Sequence, residues 1–258
     1  MARLRAAIGH EDRLTLVEHL DELRSRIIVS LVAFGVAFAL CFWQDSLMLD
    51  IFNWPLPEDK VDELLTLSPT EPFFTTVEVA AYGAMVLSLP VILYQLYAFV
   101  IPAFSPQEKH VVFPYLVAMP LLFVAGIAFA YFVVMPAAIT FLLSFNEADF
   151  NIQLRAKEYY GFLGILTVVL GLLFQMPIAL LALCRLGVVT PEQLARNRRY
   201  AILIISIVAA ALPGGDPISM ILIMIPLVLL YEASVVLARR FGEPKDLPPS
   251  EPAAEGSG

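Results

Sequence analysis

L-P-V-I-L-Y-Q-L-Y-A-F-V-I-P-A-F-S-P-Q-E-K-H, residues Leu89–His110, begins inside an apolar run, passes Pro102 and Pro106, and ends in charge. This is the pattern of a helix leaving a bilayer, because aromatic side chains gather where hydrocarbon meets water. Tyr94, Tyr97, Phe99 and Phe104 supply the aromatics, and Glu108 is the carboxylate at the end. The aromatics read either as an interfacial belt or as a recognition surface. Ser105-Pro106-Gln107-Glu108 then restarts a helix, with serine as N-cap, proline at the first helical position and glutamate at the third.

The rest of the chain agrees with that reading. Of its 258 residues 59% are hydrophobic, with a mean hydropathy of +0.79, whereas soluble domains are about half apolar or less. Several apolar runs reach the roughly 20 residues that cross a bilayer. The expected fold is an all-α membrane protein. A short amphipathic N-terminal helix precedes six transmembrane helices, at about residues 27–43, 76–101, 111–135, 159–184, 200–212 and 217–237. Residues 1–14 are expected to be a flexible N-terminus and 15–241 a single domain. Residues 242–258, rich in Pro, Glu, Ser and Gly, are expected to be a disordered tail. The first apolar run starts near Ile27, too far in for a cleavable leader.

Local signals set the expected boundaries. Thr15 and Glu18 form a capping box, and Leu16, Leu20, Leu23 and Ile27 recur at helical spacing. Pro90 is tolerable within the second span, where neighbouring groups can satisfy the freed carbonyl. Pro136 is expected to interrupt the apolar run after the third span. Gln175-Met176-Pro177 falls inside the fourth. Thr190-Pro191-Glu192-Gln193 is a capped helix start. Tyr200–Leu212 has 13 residues, about 20 Å of helix, short of a hydrocarbon core of about 30 Å. Pro213-Gly214-Gly215-Asp216-Pro217 makes the turn into the last span.

Orientation follows from lysine and arginine. With six spans, the termini and the even-numbered connections share a side. That side holds 13 of the 16 basic residues, and the other only Lys60, Arg155 and Lys157. Both termini are therefore expected to be cytoplasmic, as are Glu22, Phe99 and Glu108. The net charge of −8 comes largely from Asp45–Glu71 and the tail, which read as solvated acidic segments. Glu232 is expected to pair with Arg239 or Arg240.

Glu22 and Glu108 are the candidate binding groups. Each could take a guanidinium by a forked, charge-assisted hydrogen bond. Equally, Glu22 can pair with Arg26 four residues on, and Glu108 can complete the cap begun by Ser105. Gln175 is polar within a span, so it faces another helix or a wet cavity. His10, His19 and His110 have no metal-ligand spacing, and Cys41 and Cys184 read as buried thiols. No nucleotide-binding or hydrolase motif is present. No metal, cofactor, enzymatic activity or nucleic-acid partner is expected.

Four stretches together resemble the TatC family, the multispanning subunit of the twin-arginine protein translocase. They are H-L-D-E-L-R-S-R at His19–Arg26, L-P-V-I-L-Y-Q-L-Y-A-F-V-I-P-A at Leu89–Ala103, G-I-A-F-A-Y-F-V-V-M-P at Gly126–Pro136, and P-G-G-D-P at Pro213–Pro217. The resemblance implies a receptor in a bacterial or archaeal cytoplasmic membrane. Its ligands would be signal peptides bearing paired arginines. It would form an oligomeric complex with single-span TatA- and TatB-type subunits, and the proton-motive force would drive export of folded proteins. Glu22, Arg24, Phe99 and Glu108 match signal-peptide-binding positions of that family. Gln175 matches an intramembrane polar position that is often glutamate, and Asp216 an acidic residue of the outer turn. The rival from the residues alone is a proton-coupled small-solute carrier. Such carriers show internal repeats and ionisable groups near the midplane; no repeat is evident, and Gln175 cannot titrate.

Overall fold

The structure, a computed structural model, describes residues 10–57, 60, 63–100, 109–145, 149, 152–212 and 217–241, with side chains throughout except at 10–18, 100 and 109–117. Regular structure among them is helical, apart from one isolated parallel bridge between Leu65 and Arg155. The helices are α1 (His10–Trp43), α2 (Asp45–Asn53), α3 (Glu71–Val100), α4 (Lys109–Phe129), a π-helical turn (Ala130–Val134), α5 (Met135–Ser144), α6 (Ala156–Leu173), α7 (Met176–Arg185), α8 (Pro191–Arg196), α9 (Arg198–Ala211) and α10 (Pro217–Phe241).

Five helical segments among the described residues are long and apolar enough to cross a membrane: His19–Trp43, Glu71–Phe99, Ala118–Ser144, Ala156–Arg185 and Pro217–Phe241. Large apolar side chains such as Leu31, Val36, Leu40, Ile204, Ile221 and Leu229 point outward, as a lipid solvent requires. Helix α9 has 14 residues and, at about 21 Å, is the short element that its sequence indicates.

Boundaries differ from the expectation where helix signals compete. Thr15 is not an N-cap: α1 is continuous from His10 to Trp43, so the amphipathic segment and the first span are one helix, and residues 10–14 belong to it. No proline breaks this run. Pro136 does not end the third span either. The helix widens over Ala130–Val134, where Met135 N–H bonds to Ala130 C=O, and Pro136 enters near the start of α5. A π turn is one way that a helix absorbs a residue lacking its N–H. The fourth span breaks at Phe174–Gln175, where Gln175 N–H turns back to Leu172 C=O at 2.9 Å and Pro177 opens α7. Thr190 caps α8 with a full capping box through Gln193, as read from the sequence.

Helix α1 packs along α3, α3 on α6, α6 on α4, and α10 on both α7 and α9. The α1–α3 seam is made of small residues, Ala37 and Cys41 against Ala80 and Ala84, so the backbones approach closely. The α3–α6 seam is tighter: a Cβ at Gly164 would meet the Tyr82 ring at 1.9 Å. Leu163, Leu166, Leu170, Ile223, Leu227 and Val235 are fully buried in the main core. Both cysteines are buried and free.

At the end of the molecule that carries α2, the segment before α3 is tied to the segment before α6. Leu65 N–H bonds to Leu154 C=O and Ala156 N–H to Leu65 C=O, both at 2.9 Å. Glu71, expected in a solvated acidic segment, is instead buried, with 3% of its side chain exposed. It accepts from Arg155 Nε at 2.8 Å, Arg155 Nη2 at 3.3 Å and Leu67 N–H at 2.9 Å. Tyr159 and Tyr160 fasten α2 to α6 through Phe52 C=O and Asn53 Oδ1, at 2.9 and 2.7 Å. At the other end, Glu232 pairs with Arg198 at 2.9 Å rather than with Arg239 or Arg240. Packing of α9 on α10 brings that guanidinium closer than any residue further along α10.

Candidate functional site

Helices α1 and α3 run side by side over most of their length, so the early turns of α1 lie beside the last turns of α3. Glu22 sits on α1, with 35% of its side chain exposed. Four residues on, Arg26 reaches back as an i,i+4 partner. Its Nε lies 3.1 Å from Glu22 Oε1, and its Nη2 donates to the same oxygen. Arg26 Nη1 crosses to Gln95 Oε1 on α3 at 3.3 Å. One guanidinium thus holds the carboxylate and joins two helices.

The second carboxylate oxygen accepts no hydrogen bond among the described residues. Oε2 of Glu22 lies 3.8 Å from His19 Nδ1, beyond hydrogen-bond distance. The His19 ring stacks on Phe99 of α3, with centroids 4.3 Å apart and planes 17° from parallel. His19 is half exposed, at 50% of its side chain. Beneath the cluster a cleft of about 460 Å³ extends between the helices, lined by Leu23, Ile27, Leu31 and Phe34 of α1 and Met85, Ile92 and Leu96 of α3. A partly exposed carboxylate with spare lone pairs, beside aromatic rings and above an apolar cleft, suits a cationic group carried on an apolar chain.

Glu22 and Phe99 are therefore brought together, joined through His19. Arg24 is exposed, and two residues of helix put it on nearly the opposite side of α1 from Glu22. Gln175 stands in the break between α6 and α7, buried, with Nε2 donating to Met119 C=O at 3.2 Å and Oε1 unpartnered among the described residues. Glu108 and Asp216 lie outside the described residues. His19 and Gln95 were missed as members of the site. Helical spacing, which already pairs Arg26 with Glu22, could equally have placed His19 on the Glu22 face; only packing brings up Gln95 and Phe99.

Comparison with known proteins bears on this arrangement. The family model described as Sec-independent protein translocase protein (TatC) matches residues 18–226. A Sec-independent protein translocase protein TatC of Aquifex aeolicus (strain VF5) is 40% identical over 227 residues, covering 87% of this chain and 94% of that one. The TatCy protein of Bacillus subtilis (strain 168) is 35% identical, over 88% and 90% of the two chains. A crystal structure of the twin arginine translocase receptor TatC superposes with a TM-score of 0.75 at 38% identity, covering 86% of this chain and 98% of that chain. A family match over most of the chain, with relatives this similar and the same fold, makes the chain a member of the TatC family of Sec-independent protein translocase proteins, a multi-pass membrane subunit of the twin-arginine translocase.

Proposed function

We propose that the chain is the receptor and core subunit of its translocase. It binds signal peptides with paired arginines at the cytoplasmic face and nucleates assembly with TatA- and TatB-type subunits. The proton-motive force then drives export of folded proteins across a bacterial or archaeal cytoplasmic membrane. The chain does not itself catalyse a reaction. It crosses the membrane six times, α9 being the short crossing, and both termini are cytoplasmic, which the distribution of 13 basic residues against three favours. The transmembrane unit spans residues 15–241, and residues 242–258 form a cytoplasmic tail.

Glu22 and Glu108 take the two arginines, with Phe99 beside them. Arg24 joins the site by its match to the family motif. Gln175 serves as a neutral polar contact within the membrane, and Asp216 holds the outer turn. The observation that carries this reading is the partly exposed Glu22 carboxylate, flanked by His19 and Phe99 over an apolar cleft. Desolvation at the boundary strengthens a guanidinium pair relative to open water.

Photocrosslinking of an Arg-Arg peptide to the full-length protein, with a Lys-Lys peptide as control, tests it. Glu108→Ala is expected to reduce labelling by the Arg-Arg peptide by well over about tenfold, because a desolvated pair loses roughly 3–5 kcal/mol when one partner is removed. Equal labelling of mutant and parent rejects the assignment.

A further inference from the structure

Phe99 covers one face of the His19 imidazole, and the ring is still half exposed. Oε2 of Glu22 stands 3.8 Å from the edge of that ring, while both donors that hold the carboxylate, Arg26 Nε and Nη2, fall on Oε1. An acceptor and a flat π surface therefore adjoin each other, and neither is taken up by Arg26. A guanidinium is planar, hydrogen-bonds at its edge and stacks through its face, whereas an ammonium is a compact, strongly hydrated charge without a stacking face.

The geometry points to His19 as a ligand-contact residue that selects arginine over lysine. The incoming guanidinium bonds to Oε2 of Glu22 and lies against the His19 ring, which Phe99 braces from behind. Arg26 stays on Oε1 and is a positioning residue: it fixes the carboxylate so that Oε2 faces the ring, and its bond to Gln95 holds that pose against α3. This inference rests on the reading that Glu22 receives an arginine of the signal peptide.

The test is equilibrium binding of fluorescent Arg-Arg and Lys-Lys peptides to the full-length protein in lipid nanodiscs, for the parent and for His19→Leu, His19→Phe and Glu22→Gln. Leucine packs on Phe99 but offers no π face, so His19→Leu is expected to weaken the Arg-Arg peptide about fivefold and leave the Lys-Lys peptide nearly unchanged, as a stacked cation at a half-exposed site implies. His19→Phe keeps the face and is expected to retain the preference. Equal loss for both peptides in His19→Leu, or a loss in His19→Phe as large as in His19→Leu, overturns the role. If Glu22→Gln weakens the Arg-Arg peptide while His19→Leu does not, this inference alone fails. If Glu22→Gln changes nothing, the reading of Glu22 fails and takes the inference with it.

Discussion

Two carboxylate–guanidinium pairs stand at opposite ends of the helical layer, and they differ in nearly every respect. Glu71 meets Arg155 across 84 residues of sequence, is buried, and has both oxygens engaged together with a backbone N–H. Glu22 meets Arg26 within one helix, is partly exposed, and uses one oxygen. The first is closed: both oxygens of the buried Glu71 carboxylate are engaged inside the fold, so removing Arg155 strands a buried charge. The second is open, because it keeps lone pairs beside a half-exposed ring. Burial and satisfaction, rather than the identity of the residues, distinguish a pair that holds the fold from one that can receive a ligand.

The contrast breaks first at Glu71. Replacing it with alanine is expected to lower the thermal unfolding midpoint of the purified protein by several degrees and to expose residues 63–71 to protease. Glu158→Ala, which removes only a peripheral partner of Arg155, is expected to do neither. Unfolding curves and limited proteolysis check both, and an unchanged midpoint for Glu71→Ala would mean that this tie contributes nothing.

Glu22 should behave in the opposite way. Glu22→Gln is expected to leave the unfolding midpoint nearly unchanged, since a partly exposed i,i+4 pair within one helix contributes below about 1 kcal/mol, while Arg-Arg peptide binding falls roughly tenfold. Raising the salt concentration sharpens the comparison. Peptide binding to the parent should weaken as partly exposed charges are screened, whereas the midpoint should move less, because the Glu71 carboxylate is buried. A binding constant insensitive to salt contradicts the open-site picture.

The smallest effect is expected at Arg198–Glu232, a pair exposed on both sides. Glu232→Ala should cost below about 1 kcal/mol in denaturant titration and leave peptide binding at the parent value. A larger loss would show that α9 is pinned to α10 by this bridge rather than by Ile205, Ala209, Ile223 and Leu227, which pack in the shared core.

Much of the candidate site was legible along a single helix. The i,i+4 pairing of Glu22 with Arg26 follows from helical spacing, as does the position of His19 three residues before Glu22. Gln95 and the stacking of Phe99 on His19 were not legible, since each lies on α3, 69 and 80 residues away in the chain. No periodicity carries that information. Prolines misled in one direction: Pro136 looked like a terminator, yet a π turn absorbed it. Thr15 misled in the other, because a capping pattern inside a longer helix-compatible run has no end to cap.

By itself the chain of residues determined what lipid and water demand: long apolar helices, a short α9 and a capped α8. These follow from local hydropathy, helix geometry and the cost of unpaired backbone in hydrocarbon, all of which are read within a few turns. Only the tertiary structure decided which carboxylate is buried and which is open. That outcome depends on which helices touch, and small residues such as Gly164, Ala80 and Ala84 set how closely they approach, so that Arg155 reaches Glu71 while nothing closes over Oε2 of Glu22 among the described residues.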